Sequence, residues 1–235
     1  MSQWEEEAQN WIRWARTPEH DVYWHFAPVF FEQIVPAPHG ETLEVGCGEG
    51  RVARALAELG HAVIGVDSAP TLLAAAREVD PGRTYVLADS TQLPFDGERF
   101  SVVVAYNVLM DVEDLDDTVA EAARVLQPGG SLCICVVHPV NDAAVITGDT
   151  FVLQRPYLTS ETVDETLERG DLRMRFRGWR HPLERYTGAL ESAGLVIDRL
   201  REPAIPAAAV AARPSLQRWT QVPMFLFLRA RKPPL

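Results

Sequence analysis

From position 40 to 137 the chain alternates between two hydrophobic patterns. Continuous apolar runs at 42–45, 62–66, 84–88, 100–106 and 131–137 read as buried strands. Between them, 52–59, 71–79 and 116–126 carry apolar residues at helical spacing. Gly60 closes the first of these helices, Asp80-Pro81-Gly82 stops the second and Pro128-Gly129-Gly130 ends the third, while Ser68 stands where it would cap the second. Mostly apolar strands without strict alternation, separated by amphipathic helices, predict a parallel sheet covered on both faces.

The flanking regions differ. At the N-terminus, Ser2 and Glu5 have capping-box spacing, and Trp4, Trp11, Ile12 and Ala15 recur near helical period. A second apolar helix, "VYWHFAPVFFEQIV", is expected to be interrupted at Pro28 and to end at Pro36, Pro38 and Gly40. Residues 140–178 lose the strand–helix alternation. There "DLRMRFR" places Leu172, Met174 and Phe176 on one face and Arg173, Arg175 and Arg177 on the other, the pattern of a half-buried strand. Its expected antiparallel partner is "FVLQRPY", 151–157. Regular structure returns with a helix over 183–193 ended by Gly194, a strand over 195–200 and a last strand over 224–230. The expected organisation is one domain, 1–235, with a helical lid (1–39), a core (40–139), an inserted cap (140–178) and closing elements (179–235). No internal repeat is visible.

Composition narrows the function classes. With 235 residues, 47% of them hydrophobic, the chain is long enough for a substantial core. A net charge of −11 disfavours phosphate backbones, so no nucleic-acid partner is expected. No run approaches 18 apolar residues, and the acidic, Trp-containing start lacks the form of a signal peptide, so no membrane partner is expected. Cys47, Cys133 and Cys135 fall in predicted strands or in the glycine loop, which suggests reduced thiols and a cytoplasmic protein. One residue separates Cys133 from Cys135 and no second pair exists, so no metal site is expected.

Candidate chemistry is concentrated in "TLEVGCGEGRVARALAELGHAVIGVD". Gly46, Gly48 and Gly50 lie between the first strand and its helix, where backbone can approach a ligand at the positive end of a helix. The dinucleotide fingerprint G-x-G-x-x-G would place its third glycine at Arg51, whereas here it is Gly50. The bland alternative for this stretch is a tight turn without a ligand.

"LEVGCGEG" resembles the first motif of the class I S-adenosylmethionine-dependent methyltransferases. The likeness continues through "GVDSAPTLLAAA", "LADSTQLPF", "FSVVVAYNVLMDV" and "EAARVLQPGGSLCICV", roughly residues 40–137. It follows the small-molecule branch that includes quinone-biosynthesis enzymes, and extends more loosely through "HPLERYTGALESAGL". The resemblance implies a Rossmann-like, doubly wound α/β fold whose seven-stranded sheet is mostly parallel with an antiparallel last strand. It implies S-adenosyl-L-methionine as cofactor and a small-molecule acceptor methylated on oxygen, nitrogen or carbon.

The same resemblance implies residue roles. Gly46, Cys47, Gly48 and Gly50 would meet the methionine part of the cofactor, with Glu44 orienting its amino group. Asp67 would accept from both ribose hydroxyls, with Ser68 beside it, and a carboxylate has acceptors enough for that. Leu72 would pack on adenine or ribose, Asp89 and Ser90 would meet the adenine, and Tyr106 and Asn107 would lie under the sulfonium.

On the acceptor side, His138 follows the fifth strand and is the candidate base; Tyr23, His25, His138 and His181 are candidate acceptor contacts. For His138 the alternative is a histidine bonded within its own loop, and for His181 a cap-to-core hydrogen bond. Trp4, Trp11, Trp14, Tyr23, Trp24 and Phe26 have helical spacing that points to packing before ligand contact. Six arginines run from Arg169 in the cap to Arg185 just beyond it, either the solvated face of an edge strand or a site for an anionic acceptor. Three rival functions remain: a cofactor-binding protein that transfers no methyl, an NAD-dependent oxidoreductase, and a methyltransferase acting on a macromolecule.

Overall fold

A computed structural model describes residues 3–18, 20–147 and 150–234. Seven strands form one sheet in the order β10-β11-β5-β4-β1-β2-β3. They are β1 (Glu41–Val45), β2 (Ala62–Asp67), β3 (Thr84–Leu87), β4 (Phe100–Tyr106), β5 (Leu126–Val137), β10 (Val196–Arg201) and β11 (Phe225–Arg231). Pairings among β1–β5 are parallel, and β11 runs antiparallel to both β5 and β10. This is the expected mostly parallel sheet with an antiparallel last strand.

Both faces are covered. Val102, Val104, Cys133, Cys135, Phe225 and Phe227 pack against α3 (Tyr23–Gln33), α4 (Arg51–Glu58) and Leu73 of α5 (Pro70–Val79). Val103, Ala105, Ile134, Val136, Leu226 and Leu228 pack against α6 (Leu115–Val125) and α8 (Leu183–Ser192). Alternate residues of one strand thus feed opposite layers, which is why these segments read as unbroken apolar runs.

Several local expectations are corrected. Pro28 does not interrupt α3, which continues through it. Phe26 and Phe30 anchor that helix by edge-on ring contacts, at 5.3 Å to Phe225 and 5.2 Å to Phe227. Ser68 caps nothing: α5 starts at Pro70, a residue preorganised for a first helical turn. Glu5 of α1 (Gln3–Glu6) serves that terminus instead, accepting from the Thr71 amide at 3.0 Å. Ser2, the other half of the expected capping box, lies outside the described residues. The third helix gives way at Leu126 to a strand that pairs with Phe100 before the Pro128-Gly129-Gly130 irregularity.

The largest difference concerns the region after β5 and the short α7 (Pro139–Ala143). The segment 151–157 does not pair with "DLRMRFR". Instead β6 (Ala144–Thr147) pairs with β7 (Thr150–Leu153), and β8 (Glu161–Arg169) pairs with β9 (Leu172–Arg180). The second hairpin turns at Gly170-Asp171, with Gly170 at φ 61, a two-residue connection of the kind that closes hairpins. The predicted facing holds: Leu172 and Met174 are buried and packed against Trp14 of α2 (Ala8–Ala15), with Phe176 beside them. The hairpin also joins the loop after β4, where Trp179 donates its amide to the Met110 carbonyl at 2.8 Å. After β10, α9 (Ala207–Ala212) and a 3₁₀ turn (Pro214–Thr220) lead into β11.

Candidate cofactor and acceptor site

The strand order reverses at β1, whose neighbours β2 and β4 lead to opposite edges of the sheet. Ligands of open α/β sheets sit outside the carboxyl ends of the strands at such a reversal. The loops opening there are 46–50 after β1 and 107–111 after β4, and both border a cleft of about 1720 Å³.

Eleven of the twelve residues expected around the cofactor line this cleft: Glu44, Gly46, Cys47, Gly48, Asp67, Ser68, Leu72, Asp89, Ser90, Tyr106 and Asn107. Gly50 does not. Its φ is 84, and a side chain there would meet the Tyr85 hydroxyl and Arg54. Gly46, at φ 67, faces the Val108 side chain, which leaves no room for a Cβ. Two of the three glycines therefore serve the protein's own packing. At Gly48 a Cβ would sit 3.3 Å from Trp11 Nε1, so α2 lies over the loop.

The carboxylates differ in what they still offer. Asp67 Oδ2 accepts from the Gly48 amide at 2.8 Å, and Oδ1 accepts from the Ala69 amide at 2.9 Å. These bonds tie the loop to the end of β2, and a carboxylate oxygen can accept more than one hydrogen bond. Asp89 is exposed, and its Oδ1 is taken by the Thr91 amide and hydroxyl. Ser90 Oγ lies 3.0 Å from Thr118 Oγ1. Asn107 holds a left-handed φ of 54 and accepts from Cys135 Sγ at 3.3 Å.

Glu44 is the most telling member. It is 2% exposed, and its Oε2 has no hydrogen-bond partner among the described residues. Burial, with Asp67 and Glu49 nearby, holds its carboxyl well above the usual carboxylate range. Such a group is stabilised by a cation at its open oxygen. Tyr106 Oη is likewise buried without a partner at the cleft, and burial raises its ionisation well above that of an ordinary phenol.

The expected acceptor contacts are not brought together. His138, Tyr23, His25 and His181 do not line the cleft. His138 turns behind the strand end: Nε2 lies 2.9 Å from Glu202 Oε1, and Nδ1 accepts from the Val140 amide at 3.2 Å, capping α7. Burial lowers its pKa, partly offset by Glu202. Tyr23 is buried under Arg51, whose guanidinium lies 4.1 Å from the ring centroid. His25 is half-buried on α3, with burial and Arg213 lowering its pKa. His181 stacks on Trp179 and accepts or donates at 2.7 Å with Ser160 Oγ, the cap-to-core bond weighed above.

Asp111, after β4, and Asp142, in α7, both line the cleft. Burial pushes Asp142 up to about 6, against the opposing Arg180, whose Nε lies 3.4 Å from Oδ1. Burial, with Asp142 nearby, raises Asp111 well above the usual range. Trp4, Trp11 and Trp14 line the cleft, whereas Trp24 and Phe26 do not. Beneath the loop, Glu49 is buried and paired with Arg54 and Arg16, while Arg51 is paired with Asp21 at 2.5 Å. Neither pairing carries a local sequence signal: Arg51 and Asp21 are 30 positions apart, and Arg16 and Glu49 are 33 apart.

Residues 43–134 match the family model described as a methyltransferase domain. A malonyl-[acyl-carrier protein] O-methyltransferase of Salmonella typhimurium is 28% identical over 161 residues, covering 66% of this chain and 60% of its own. A demethylmenaquinone methyltransferase of Tropheryma whipplei is 36% identical over 103 residues, 42% of this chain and 43% of its own. The chain thus spans less than two thirds of the length of either relative. The crystal structure of an S-adenosylmethionine-dependent methyltransferase from Mesorhizobium loti superposes with a TM-score of 0.71 at 25% identity, covering 91% of this chain and 99% of that one.

Proposed function

We propose that this chain, whose residues 43–134 belong to the methyltransferase domain family and whose sheet is that of the class I S-adenosylmethionine-dependent methyltransferases, transfers a methyl group from S-adenosyl-L-methionine to a nucleophilic oxygen, nitrogen or carbon of a small-molecule acceptor. The observation that carries the reading is the open, buried oxygen of Glu44 on the same cleft as Asp67. A buried carboxyl with one oxygen left open beside a glycine loop suits an ammonium group, and a second carboxylate at the end of the next strand suits vicinal hydroxyls. The cofactor named above has both.

When bound, the cofactor supplies a methyl group on a sulfonium, open to in-line displacement. The protein's part is alignment and proton handling. Glu44 and the 46–48 backbone hold the amino-acid end, Asp67 holds the ribose, and Asp89 with Ser90 borders the base. Tyr106 and Asn107 lie at the end of β4, between this site and the acceptor. Trp4 and Trp11 of the N-terminal helices exclude water above the loop, and the β8–β9 hairpin closes the acceptor side. Asp142, with a pKa of about 6 at the cleft wall, is placed to take the acceptor's proton near neutral pH. The three buried cysteines form no disulfide, which suits a reducing cytoplasm.

Calorimetry with S-adenosylmethionine, S-adenosylhomocysteine and NAD, followed by an acceptor screen with methyl-labelled cofactor, tests the proposal. Binding of the first two and labelled product support it. Binding of NAD without response to S-adenosylhomocysteine would replace it with the oxidoreductase reading.

A further inference from the structure

Asn107 follows β4 in a conformation that the neighbouring strand dictates. Its φ of 54 lies in the left-handed region, where asparagine is tolerated better than most side chains. Its amide donates to the Cys135 carbonyl of β5 at 2.8 Å, and its Oδ1 accepts from the Cys135 thiol at 3.3 Å. Tyr106 and Cys135 are partners in the β4–β5 register, so both bonds involve the one residue beside the strand end. Cys135 is fully buried. Burial holds its thiol well above the usual range, so at neutral pH the proton stays on sulfur and is there to donate.

That thiol decides which end of the Asn107 side chain meets the cleft. A primary amide has an acceptor oxygen at one end and a two-proton donor of nearly the same size at the other. With Oδ1 taken by Cys135, the free end is Nδ2. Asn107 lines the cleft, and among the described residues no oxygen accepts from Nδ2. The group that the end of β4 offers the cleft is thus a donor.

The glycine loop lies alongside. Val45 is in register with Ala105, so Gly46 leaves β1 beside Tyr106, and Gly46 packs against Val108. The residues on either side of Asn107 therefore both border the loop. Within the loop, the amides of Cys47, Gly48 and Gly50 are already bonded to Val66, Asp67 and the Cys47 carbonyl. An amino-acid group bound here brings an ammonium, which suits the open oxygen of Glu44, and a carboxylate, which needs a donor from outside those three amides.

We propose that Cys135 is a positioning residue for the cofactor: its thiol orients the Asn107 side chain so that Nδ2 donates to the carboxylate of the cofactor's amino-acid end. The inference rests on the cofactor reading of the cleft given above. Cys135 itself does not line the cleft and acts through Asn107. Fixing the donor before the ligand arrives spares the ordering of a free side chain on binding.

The test is calorimetry on the full-length protein with S-adenosylhomocysteine and with its decarboxylated analogue, which keeps the ammonium. Asn107→Asp keeps the shape and the thiol's acceptor but replaces the donor by an anionic oxygen. It should bind S-adenosylhomocysteine roughly tenfold or more weakly, and the decarboxylated analogue no more weakly than wild type does. Cys135→Ala should lose roughly threefold or more toward S-adenosylhomocysteine alone, and Cys135→Ser, which keeps a donor, should regain most of that loss. Urea denaturation of both variants separates positioning from packing: affinity should follow the donor at position 135 and not stability, since a buried hydroxyl packs no better than alanine in an apolar setting. Wild-type affinity in Cys135→Ala overturns the proposal, as does a serine variant no tighter than the alanine one. An equal loss toward both ligands in Asn107→Asp overturns it too, and decides alone if the Cys135 variants do not fold. Wild-type protein that binds neither ligand overturns the cofactor reading itself, whereas binding that the variants leave unchanged removes only the role of Cys135 and Asn107.

Discussion

Gly48 donates its amide proton to Asp67 Oδ2 at 2.8 Å, binding the glycine loop to the end of the neighbouring strand. Asp67 is thus a structural acceptor before it is a ligand for any ribose, because its other oxygen serves Ala69. Asp67→Ala should cost stability as well as affinity. Two buried N–H groups lose their acceptor, at about 1–3 kcal/mol each. S-adenosylhomocysteine affinity should fall by roughly tenfold or more from the lost hydroxyl contacts. Asp67→Asn keeps one oxygen and should lose less of both. Urea denaturation and calorimetry on the two variants check this; unchanged affinity in the alanine variant would move the ribose elsewhere.

Gly46 is required for two separate reasons, a left-handed φ of 67 and contact with Val108. Gly46→Ala meets both penalties and should destabilise by about 2–4 kcal/mol. Adding Val108→Ala removes the overlap and leaves the backbone strain. The double variant should therefore recover about half of the loss, a non-additivity that a mutant cycle reads directly. Full recovery would show that the conformation costs nothing.

Glu44 links cofactor binding to protons. Burial keeps its carboxyl protonated well above the usual range in the free protein. A cation at its open oxygen favours the ionised form, so binding S-adenosylhomocysteine should release a proton, and affinity should rise with pH up to the free protein's Glu44 pKa. Calorimetry in two buffers of different ionisation enthalpy measures the release. Glu44→Gln should abolish it and weaken binding; release that persists in this variant would assign the proton to another group.

What was legible in the chain follows from how local each signal is. Strands 100–106 and 131–137 are buried on both faces, so hydrophobicity alone marks them. Asp67 is readable because its place at a strand end follows from the adjacent apolar run. The partner of β9 is 161–169 and not the expected 151–157, and Gly170-Asp171 carries the signature of the two-residue hairpin turn that sets this register, while the alternation in "DLRMRFR" says only that one face is covered. Arg51–Asp21 and His138–Glu202 join residues 30 and 64 positions apart. Strand order predicts which edge His138 reaches, but not which way its ring turns, and a carboxylate after β10 decides that.

Asp142 should govern both turnover and the pH dependence of stability. A free aspartate ionises near 3.9, and here burial raises the value to about 6. Between these values the folded protein holds a proton that the unfolded chain has released. Stability from this group is therefore fully present below about pH 4 and is lost as pH rises through 6. A shift of about two units corresponds to about 3 kcal/mol, part of which Asp142→Asn regains at pH 7.5 after losing its contact with Arg180. The variant should be more stable than wild type at pH 7.5 and no more stable at pH 4. If Asp142 takes the acceptor's proton, turnover should fall roughly 10²–10⁴-fold with cofactor affinity unchanged. Thermal melts across pH separate the two effects, and full activity in the variant would remove the catalytic role.

His138 should behave as a structural residue. Its Nδ1 accepts the Val140 amide at the start of α7, and the neutral ring then carries its proton on Nε2, facing Glu202. Burial lowers its pKa against the pull of Glu202, so the ring is neutral at pH 7. His138→Ala loses a cap and a side-chain hydrogen bond, together about 1–3 kcal/mol. His138→Asn retains a capping oxygen and should lose less. Turnover and S-adenosylhomocysteine affinity should stay within about threefold in both variants, since a positioned base would be worth at least about 10²-fold. Denaturation midpoints beside steady-state kinetics decide the matter: a large fall in kcat without loss of stability would return His138 to the acceptor site and displace Asp142 from it.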